Sequence, residues 1–298
     1  MVSILTYRRV NALKETLAGL KTHCSDYEIH ILEDTGQSDG TEAFLMGPNP
    51  KLLSKRKDLL ADEWDGSHLG PNIRVFLGTT NLGVTGNSNR ALKLFSESNC
   101  DHLCLMNDDL FVLGDFVNFY AQGHEDLGVG LFCFCDFVHH ESYRWLTVNS
   151  RGHRVKLLGR MTGIMMSVNK PCFDAIGYYD ARFGKFGEEH CDYTIRARLA
   201  GFVDLDGQKQ NALDLEAKPP LLKHQDCPTS VYGPERTLAD QEASAVMKVL
   251  CTRYGMDPVY RPFRLRLPRI ASGIGPSSSS LGIPAENLDH YTYLDAPV

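Results

Sequence analysis

The stretch VSILTYRRVNALKETLAGLKTHCSDYEIHILED, residues 2–34, decides the fold class of this chain. It begins with VSILTY, an apolar run typical of a buried strand. Leucines then recur at helical spacing, at Leu13, Leu17 and Leu20. A second apolar run, YEIHILED, follows and ends on two carboxylates. This strand–helix–strand order favours an open, mostly parallel α/β sheet.

The rest of the chain continues the alternation. Residues 46–71 contain Gly-Pro and Asn-Pro steps and the basic run KLLSKRK, which indicates an insertion. We expect further strands at NIRVFLG, DHLCLMNDDL, VGLFCFCDFV, YRWLTV and GIMMSV. We expect further helices from about 86 to 98, from near 188 to 201, and over 236–254. The tail IASGIGPSSSSLGIP is rich in Gly, Ser and Pro and is poorly suited to packing.

Composition narrows the class of protein. The 298 residues are 43% hydrophobic and 23% charged, as in a soluble globular protein. The net charge of −6 gives the whole molecule no attraction for nucleic acid or anionic membranes. The nine cysteines lack zinc-type spacing, so we expect reduced thiols. With no signal peptide and no apolar run of about 20 residues, a cytoplasmic protein is expected.

Polar residues stand at the ends of three predicted strands. Thr6 and Tyr7 end the first strand, Asp34 ends the second, and the triplet Asn107-Asp108-Asp109 ends the fourth. In open α/β sheets, ligands bind beyond the carboxyl ends of the strands. Adjacent carboxylates repel one another unless a cation or a hydrogen-bond donor stabilises them. The pair Asp108-Asp109 therefore suggests either a site for Mn²⁺ or Mg²⁺ or a solvated turn.

Six motifs in order resemble family-2 glycosyltransferases of the GT-A fold over about residues 1–225. The opening VSILTYRRVNALKETLAGL is similar to that family's first strand and helix, and YEIHILEDTGQSDGT to its second strand and turn. NLGVTGNSNRAL resembles the loop and helix that follow. CLMNDDL resembles the metal-binding Asp-x-Asp (DXD) region. TGIMMSVNKPCFDAIGYYDARF and the later DYTIRARLAGF resemble the family's remaining motifs.

The resemblance implies a GT-A Rossmann-like open mixed sheet flanked by helices. It implies a catalytic domain over 1–225 and a C-terminal helical and irregular extension over 226–298. It also implies inverting transfer of a sugar from a nucleotide diphosphate, most often UDP, to an acceptor hydroxyl. Metal-dependent nucleotidyl transfer and non-catalytic binding of a nucleotide sugar or glycan are the alternatives.

The resemblance also assigns roles to residues. It places Thr6, Tyr7 and Arg9 in the base pocket, with Asp34 accepting a hydrogen bond from the base. Asp109 would hold the metal, with His224 as a second ligand; a histidine that caps a loop is the alternative for His224. The remaining residues assigned to the nucleotide-sugar site are Asn81, Gly83, Asn107 and Asp108, with Asp108 near the ribose. Two positions depart from the family pattern: Leu5 replaces a proline, and Asn107 replaces the first acidic residue of DXD.

The segment FGEEHCDYTIRARLAGF, residues 186–202, matches the family's acidic helix start, and His190 stands where an aspartate base is usual. Inversion requires a group that removes the acceptor proton. Glu189 is the first candidate, His190 the second and Glu188 the third. Asp192, at the second Asp of the family's motif, is also assigned to the catalytic residues, although it fits a structural ion pair with Arg196. We expect Cys191, Ile195 and Leu199 to form the buried stripe of this helix, and its dipole to lower the pKa of His190.

The acceptor is not determined by these motifs. A glycan, a lipid-linked acceptor, a protein or nucleic acid are all compatible with them. Trp145 is a candidate platform for an acceptor sugar, or an ordinary core residue. The segment YRPFRLRLPRI carries Arg261, Arg264, Arg266 and Arg269. We interpret it as an arm that packs on its own domain or on a partner subunit, which would allow a homo-oligomer.

Overall fold

The computed structural model describes ten segments of the chain: residues 1–34, 39–135, 144–148, 153–158, 163–185, 187–205, 212–225, 246–248, 260–266 and 293–295. Its helices are α1 (Val10–His23), α2 (Thr41–Met46), α3 (Gly83–Glu97), α4 (Phe116–Leu127), α5 (Lys170–Ile176) and α6 (Glu189–Leu199).

An eight-stranded mixed sheet forms the centre of the molecule. Its strands are β1 (Val2–Thr6), β2 (Ile29–Glu33), β3 (Leu52–Arg56), β4 (Ala61–Asp65), β5 (Ile73–Gly78), β6 (His102–Asn107), β8 (Leu131–Phe134) and β11 (Met165–Asn169). Their order is β3-β4-β5-β2-β1-β6-β11-β8. The four middle strands run parallel, and the strands on either side of them run antiparallel. The expected open mixed α/β sheet with flanking helices is confirmed.

Seven further strands among the described residues form three smaller sheets. They are β7 (Leu110–Val112), β9 (Arg144–Val148), β10 (His153–Leu158), β12 (Ala212–Glu216), β13 (Leu222–His224), β14 (Arg264–Arg266) and β15 (Tyr293–Asp295). One sheet has the order β12-β10-β9, and the other two pair β13 with β7 and β14 with β15. The pairing of β13 with β7 matters for function because it brings residues 222–224 beside the end of β6.

The core explains why the first strands form. Val2, Ile4, Ile29 and Ile31 are buried in one continuous apolar cluster that also contains the predicted leucines of α1. The seven cysteines within the described residues are free thiols, as expected. Within these same residues, no helix combines the length and apolar character needed to cross a bilayer.

Three expectations need correction. The segment 46–71 is not simply an insertion, because it contributes β3 and β4, which extend the central sheet antiparallel to β5. Helix α3 begins at Gly83, three residues before the predicted start. Strands β7, β10, β12 and β13 were not predicted, because they are short or lie between weakly patterned segments. Of the helix predicted over 236–254, residues 246–248 are described and are helical.

The described part of the C-terminal region packs on the domain. Leu265 is buried, and the carbonyl of Arg264 accepts a hydrogen bond from Asn89 of α3 at 3.4 Å. The expectation that this arm packs on its own domain is therefore confirmed for residues 260–266. The boundary at 225, the rest of the extension and a homo-oligomer stay predictions.

Candidate active site

Thr6 at the end of β1 and the carboxylates of Asp108 and Asp109 after β6 lie together at one edge of the central sheet. These strands are parallel neighbours, with Leu5 opposite Asn107. The hydroxyl of Thr6 donates to Oδ2 of Asp108 at 2.7 Å. The guanidinium of Arg9, at the start of α1, contacts Oδ2 of Asp109 and lies 3.5 Å from Oδ1 of Asp108. One arginine thus faces two buried carboxylates.

His224 lies beside Asp109 because β13 pairs with β7. In that pairing His224 stands opposite Leu110, the residue that follows Asp109. Its Nε2 atom is 3.6 Å from Oδ2 of Asp109. The other carboxylate oxygen of Asp109, Oδ1, is buried and has no hydrogen-bond partner in the described structure. A buried carboxylate oxygen without a donor is an available ligand for a cation.

These two residues fit a hard divalent cation. Carboxylate oxygen suits Mn²⁺ and Mg²⁺, and imidazole nitrogen is acceptable to Mn²⁺. Among the described residues, no group of three or more His, Cys, Asp and Glu side chains is arranged to hold a metal. Two protein ligands are enough for an ion whose remaining positions are filled by substrate phosphates and water.

Asp108 is a buried carboxyl whose ionised form is disfavoured by burial. Burial raises the pKa of its carboxyl to about 7, with a further rise from Asp109, while the Thr6 hydrogen bond and Arg9 act in the opposite direction. Its backbone carbonyl also accepts a hydrogen bond from Thr16 of α1 at 2.8 Å. Thr16 of α1 therefore anchors the backbone of the turn, and the carboxylate of Asp108 lies beside the negative charge of Asp109.

Asp34 is buried, and its carboxylate accepts three hydrogen bonds from the protein. Its carboxylate accepts from the amides of Leu82 at 2.9 Å and Gly83 at 2.6 Å, and from Arg90 at 2.8 Å. Burial raises its pKa, although Arg90 and the two amides oppose that shift. These contacts join β2 to the start of α3. The predicted contact between Asp34 and a base stays a prediction, and three protein donors already compete for this carboxylate.

Gly83 is required by the backbone at the start of α3. Its φ is +71°, and a Cβ atom there would lie 2.3 Å from the carbonyl oxygen of Lys185. The close approach brings the loop before α6 against α3. Asn81, two residues earlier, is half-exposed at the same edge of the sheet. Tyr7 is also half-exposed, with the guanidinium of Arg8 5.1 Å from its ring centre.

Glu33 is a buried carboxyl that sequence reasoning did not single out. It is 2% exposed, and neither of its carboxyl oxygens has a close hydrogen-bond partner in the described structure. Burial, together with Asp108, Asp39 and Asp34, raises its pKa to about 8, although the backbone amide of Arg8 opposes the rise. A signal was present: in IHILE, Glu33 continues the alternating face of Ile29 and Ile31, which points into the core.

Glu189 opens α6 and is 3% exposed. Its Oε1 atom is 3.2 Å from Nδ1 of His190, and its buried Oε2 atom has no partner among the described residues. Both residues line a cavity of about 20 Å³ together with Asn107 and Ser88. The cavity thus connects the end of β6 with the start of α6. A larger groove of about 620 Å³, between α1 and α2, contains none of the predicted site residues.

The prediction that the pKa of His190 is lowered is wrong. Burial does lower it, but hydrogen bonds to Cys191 and Glu189 and the charge of Glu189 outweigh burial and raise the pKa to about 10. At neutral pH the imidazole is therefore protonated and pairs with Glu189. The carboxylate, rather than the imidazole, is the group with a vacant acceptor atom.

The buried stripe of α6 also differs from the prediction. Cys191 is buried, but Ile195 and Leu199 are half-exposed, and Tyr193, Arg196 and Ala197 face the core instead. Asp192 and Arg196 form the expected i,i+4 pair, with Nε 2.8 Å from Oδ2. Both side chains are nearly inaccessible, so this pair is a buried structural contact. Trp145 lies where only the backbone is described.

No protein family and no curated protein sequence matches this chain. Among solved structures, it is similar to mannosyltransferase PcManGT from Pyrobaculum calidifontis, determined with GDP-Man and Mn²⁺, with a TM-score of 0.52 and 11% identity over 87% of this chain. It is also similar to GalNAc-T7, determined with UDP, GalNAc and Mn²⁺, with a TM-score of 0.54 and 12% identity over 85% of this chain.

The chain spans 65% of the first of these proteins and 49% of the second. At this level of identity, the similarity concerns the arrangement of strands and helices. The central mixed sheet, with its parallel middle strands and flanking helices, is the architecture these glycosyltransferases share. The chain therefore has the GT-A fold.

Proposed function

We propose that this protein is an inverting, metal-dependent glycosyltransferase that moves a sugar from a nucleotide diphosphate sugar to an acceptor hydroxyl. A UDP-sugar is the donor that the motif resemblance favours, with Mn²⁺ or Mg²⁺ as the metal. One observation supports this most strongly. Asp109 has a vacant buried oxygen beside His224, while Asn107, two residues earlier, lines a cavity together with Glu189, which also has a vacant buried oxygen.

The strand-end residues would bind the diphosphate side of the donor. Asp109 and His224 would hold the metal, which, when bound, acts as a Lewis acid toward the departing diphosphate. Arg9 already lies against Asp109, so its guanidinium is placed to contact a phosphate once a ligand enters. Thr6 fixes Asp108 in orientation through their hydrogen bond.

The start of α6 would activate the acceptor. His190 holds Oε1 of Glu189, which leaves Oε2 to accept the proton of an acceptor hydroxyl. Because His190 is itself protonated at neutral pH, it orients and stabilises the carboxylate and does not compete as a base. A carboxylate at a helix N-terminus is also favoured in its ionised form.

Donor hydrolysis in the absence of an acceptor tests this proposal. The purified protein is incubated with a panel of nucleotide sugars in the presence of Mn²⁺, Mg²⁺ or EDTA, and release of the nucleotide is measured. We expect slow release from one donor, abolished by EDTA. Asp109→Asn should lower the rate by roughly two orders of magnitude or more, because it removes the carboxylate that faces the metal.

Asp101→Asn is a matched control, since Asp101 is exposed at the opposite end of the same strand. It should keep the full rate. If no donor is hydrolysed and calorimetry detects no nucleotide binding with either metal, the proposal is wrong. Nucleotide binding without hydrolysis, even with a range of hydroxyl acceptors present, would favour the binding-module alternative.

A further inference from the structure

The arm that contains Arg261 is joined to the turn before α6 by backbone hydrogen bonds. The amide of Tyr178 donates to the carbonyl of Arg261 at 3.0 Å, and the amide of Arg261 donates to the carbonyl of Ile176 at 3.2 Å. Between these two positions lies Gly177, which pairs with Arg261 as a parallel bridge. The arm is therefore held in register with the end of α5.

Gly177 makes this approach possible. Its φ is +71°, and a Cβ atom would lie 2.3 Å from the carbonyl oxygen of Arg261. A larger residue would push the arm away from the turn. A glycine in a left-handed conformation directly under the backbone of Arg261 indicates that the position of this arm is closely defined.

The side chain of Arg261 reaches two buried aspartates. Its Nε atom is 2.9 Å from Oδ2 of Asp180, and its Nη2 atom is 3.7 Å from Oδ1 of Asp192. Asp192 belongs to the first turn of α6, and its other oxygen is held by Arg196. Arg196 in turn donates to the carbonyls of Ile176 and Tyr178, the two residues that bond the arm. Helix, turn and arm thus form one network.

This network fixes the start of α6. Glu188, at the N-cap, makes no side-chain capping hydrogen bond, so the first turn is not anchored in the usual way. Asp192 supplies an anchor instead, three residues after Glu189. A guanidinium suits this task because its planar fork can address two carboxylates at once, whereas an ammonium group acts as a point charge.

We propose that Arg261 is a positioning residue, which sets the orientation of Glu189 by holding the first turn of α6 through Asp192. This inference rests on the proposed function, in which Glu189 accepts the acceptor proton. It gives Arg261 of the C-terminal arm a role in catalysis at a distance: Arg261 acts on Glu189 through Asp192, and the base is misplaced without it.

Arg182 provides a matched control. It pairs with the same carboxylate as Arg261, with Nη2 2.6 Å from Oδ2 of Asp180, but it belongs to the turn that contains Asp180 itself. Removing either arginine takes one positive charge from Asp180. In this network, Arg261 is the arginine that links Asp180 to α6.

We expect Arg261→Ala to lower kcat roughly 10- to 100-fold, because a misplaced catalytic group costs about that much, with the donor KM and nucleotide affinity within threefold of the wild type. Arg182→Ala should keep kcat within about threefold. Arg261→Lys, which keeps the charge and the fold, should show an intermediate loss of kcat. Equal losses in Arg261→Ala and Arg182→Ala, or full kcat in Arg261→Lys, would overturn the inference.

Hydrogen exchange separates this inference from the proposed function. Peptides covering residues 187–199 should exchange roughly tenfold faster in Arg261→Lys than in the wild type, and at the wild-type rate in Arg182→Ala. This readout needs no turnover. If the wild type has no transferase activity but shows this difference, the proposed function fails and the positioning of α6 stands. If exchange is unchanged in Arg261→Lys, the positioning role is wrong even in an active enzyme.

Discussion

Asp108 and Asp180 are buried to almost the same extent, yet their pKa values are shifted in opposite directions. Asp108 is 3% exposed and Asp180 is 5% exposed. Burial raises the pKa of both carboxyls. At Asp108 burial prevails, and the pKa is raised to about 7. At Asp180, Arg182 and Arg261 outweigh burial and lower the pKa to about 2.

The difference is one of charge balance. Around Asp180 and Asp192, three arginines face two carboxylates, namely Arg182, Arg196 and Arg261. At the strand ends, Arg9 faces both Asp108 and Asp109, and Glu33 adds a further carboxyl nearby. Around Asp180 and Asp192, arginines outnumber carboxylates. At the strand ends, carboxylates outnumber arginines, as expected for a site that receives a cation with its substrate.

Glu189 lies beside the arginine network, yet one of its carboxylate oxygens has no partner among the described residues. We expect Glu189→Gln to lower kcat by roughly 10²- to 10⁴-fold, because an amide of the same shape cannot accept the acceptor proton. Nucleotide affinity should be unchanged, since the proposed function places Glu189 on the acceptor side. Steady-state transfer with the identified donor, together with nucleotide calorimetry, measures both.

Glu125→Gln on the exposed side of α4 serves as the control and should be fully active. His190→Gln should lose less than Glu189→Gln, because it removes the partner of the carboxylate and leaves the base. A His190→Gln variant that is inactive while Glu189→Gln turns over normally would assign the base to the imidazole instead.

The strand-end region was predicted well because each strand can be identified from its own apolar run, even though Thr6 and Asp108 are 102 positions apart. Apolar runs identify β1, β2 and β6, and parallel strands necessarily present their carboxyl ends at one edge. Thr6 and Asp108 were therefore expected at the same edge of the sheet, and in the structure they are hydrogen-bonded. The position of His224 followed from the motif resemblance, and the pairing of β13 with β7 shows how the chain achieves it.

The region around α6 was predicted less well because charged residues are among those that it buries. Periodicity assumes that buried residues are apolar, and on that assumption Ile195 and Leu199 should face the core. The structure buries Asp192 and Arg196 instead, as an ion pair, and Arg261, 69 positions after Asp192, makes a further contact with Asp192. The i,i+4 spacing of Asp192 and Arg196 is visible in the sequence, whereas the contact with Arg261 leaves no local pattern.

Glu33, the third buried carboxyl near the strand ends, makes the stability of the protein depend on pH. Its pKa is about 4.5 when the chain is unfolded and about 8 when folded, so the folded state holds the proton more tightly. Stability from this group is therefore fully present below pH 4.5 and is lost as the pH rises toward 8. Glu33→Gln keeps the shape of the neutral carboxyl and cannot ionise.

We expect Glu33→Gln to exceed the wild type in free energy of unfolding by about 4 kcal/mol at pH 8.5, and by less than about 1 kcal/mol at pH 5. Urea denaturation at both pH values measures this. Glu42→Gln, in the first turn of α2, provides the control and should follow the wild type at both. If the free energy of unfolding changes by the same amount between the two pH values in the wild type and in Glu33→Gln, the pKa of Glu33 is not raised in the folded protein.

Replacing His224 tests whether the metal binds at the strand ends, beside Asp109. If its Nε2 atom ligates the metal together with Asp109, His224→Ala should weaken Mn²⁺ binding to the nucleotide complex roughly tenfold, since even a lost partner of a ligand weakens a site by that order. Calorimetric titration of Mn²⁺ measures this directly, and His68→Ala, an exposed histidine, provides the control. The effect is smaller than that of Asp109→Asn because phosphate oxygens or water can take the vacated position. Unchanged Mn²⁺ affinity in His224→Ala would make His224 a residue that closes the loop after β13, and would leave Asp109 as the protein ligand that the substrate phosphates complete.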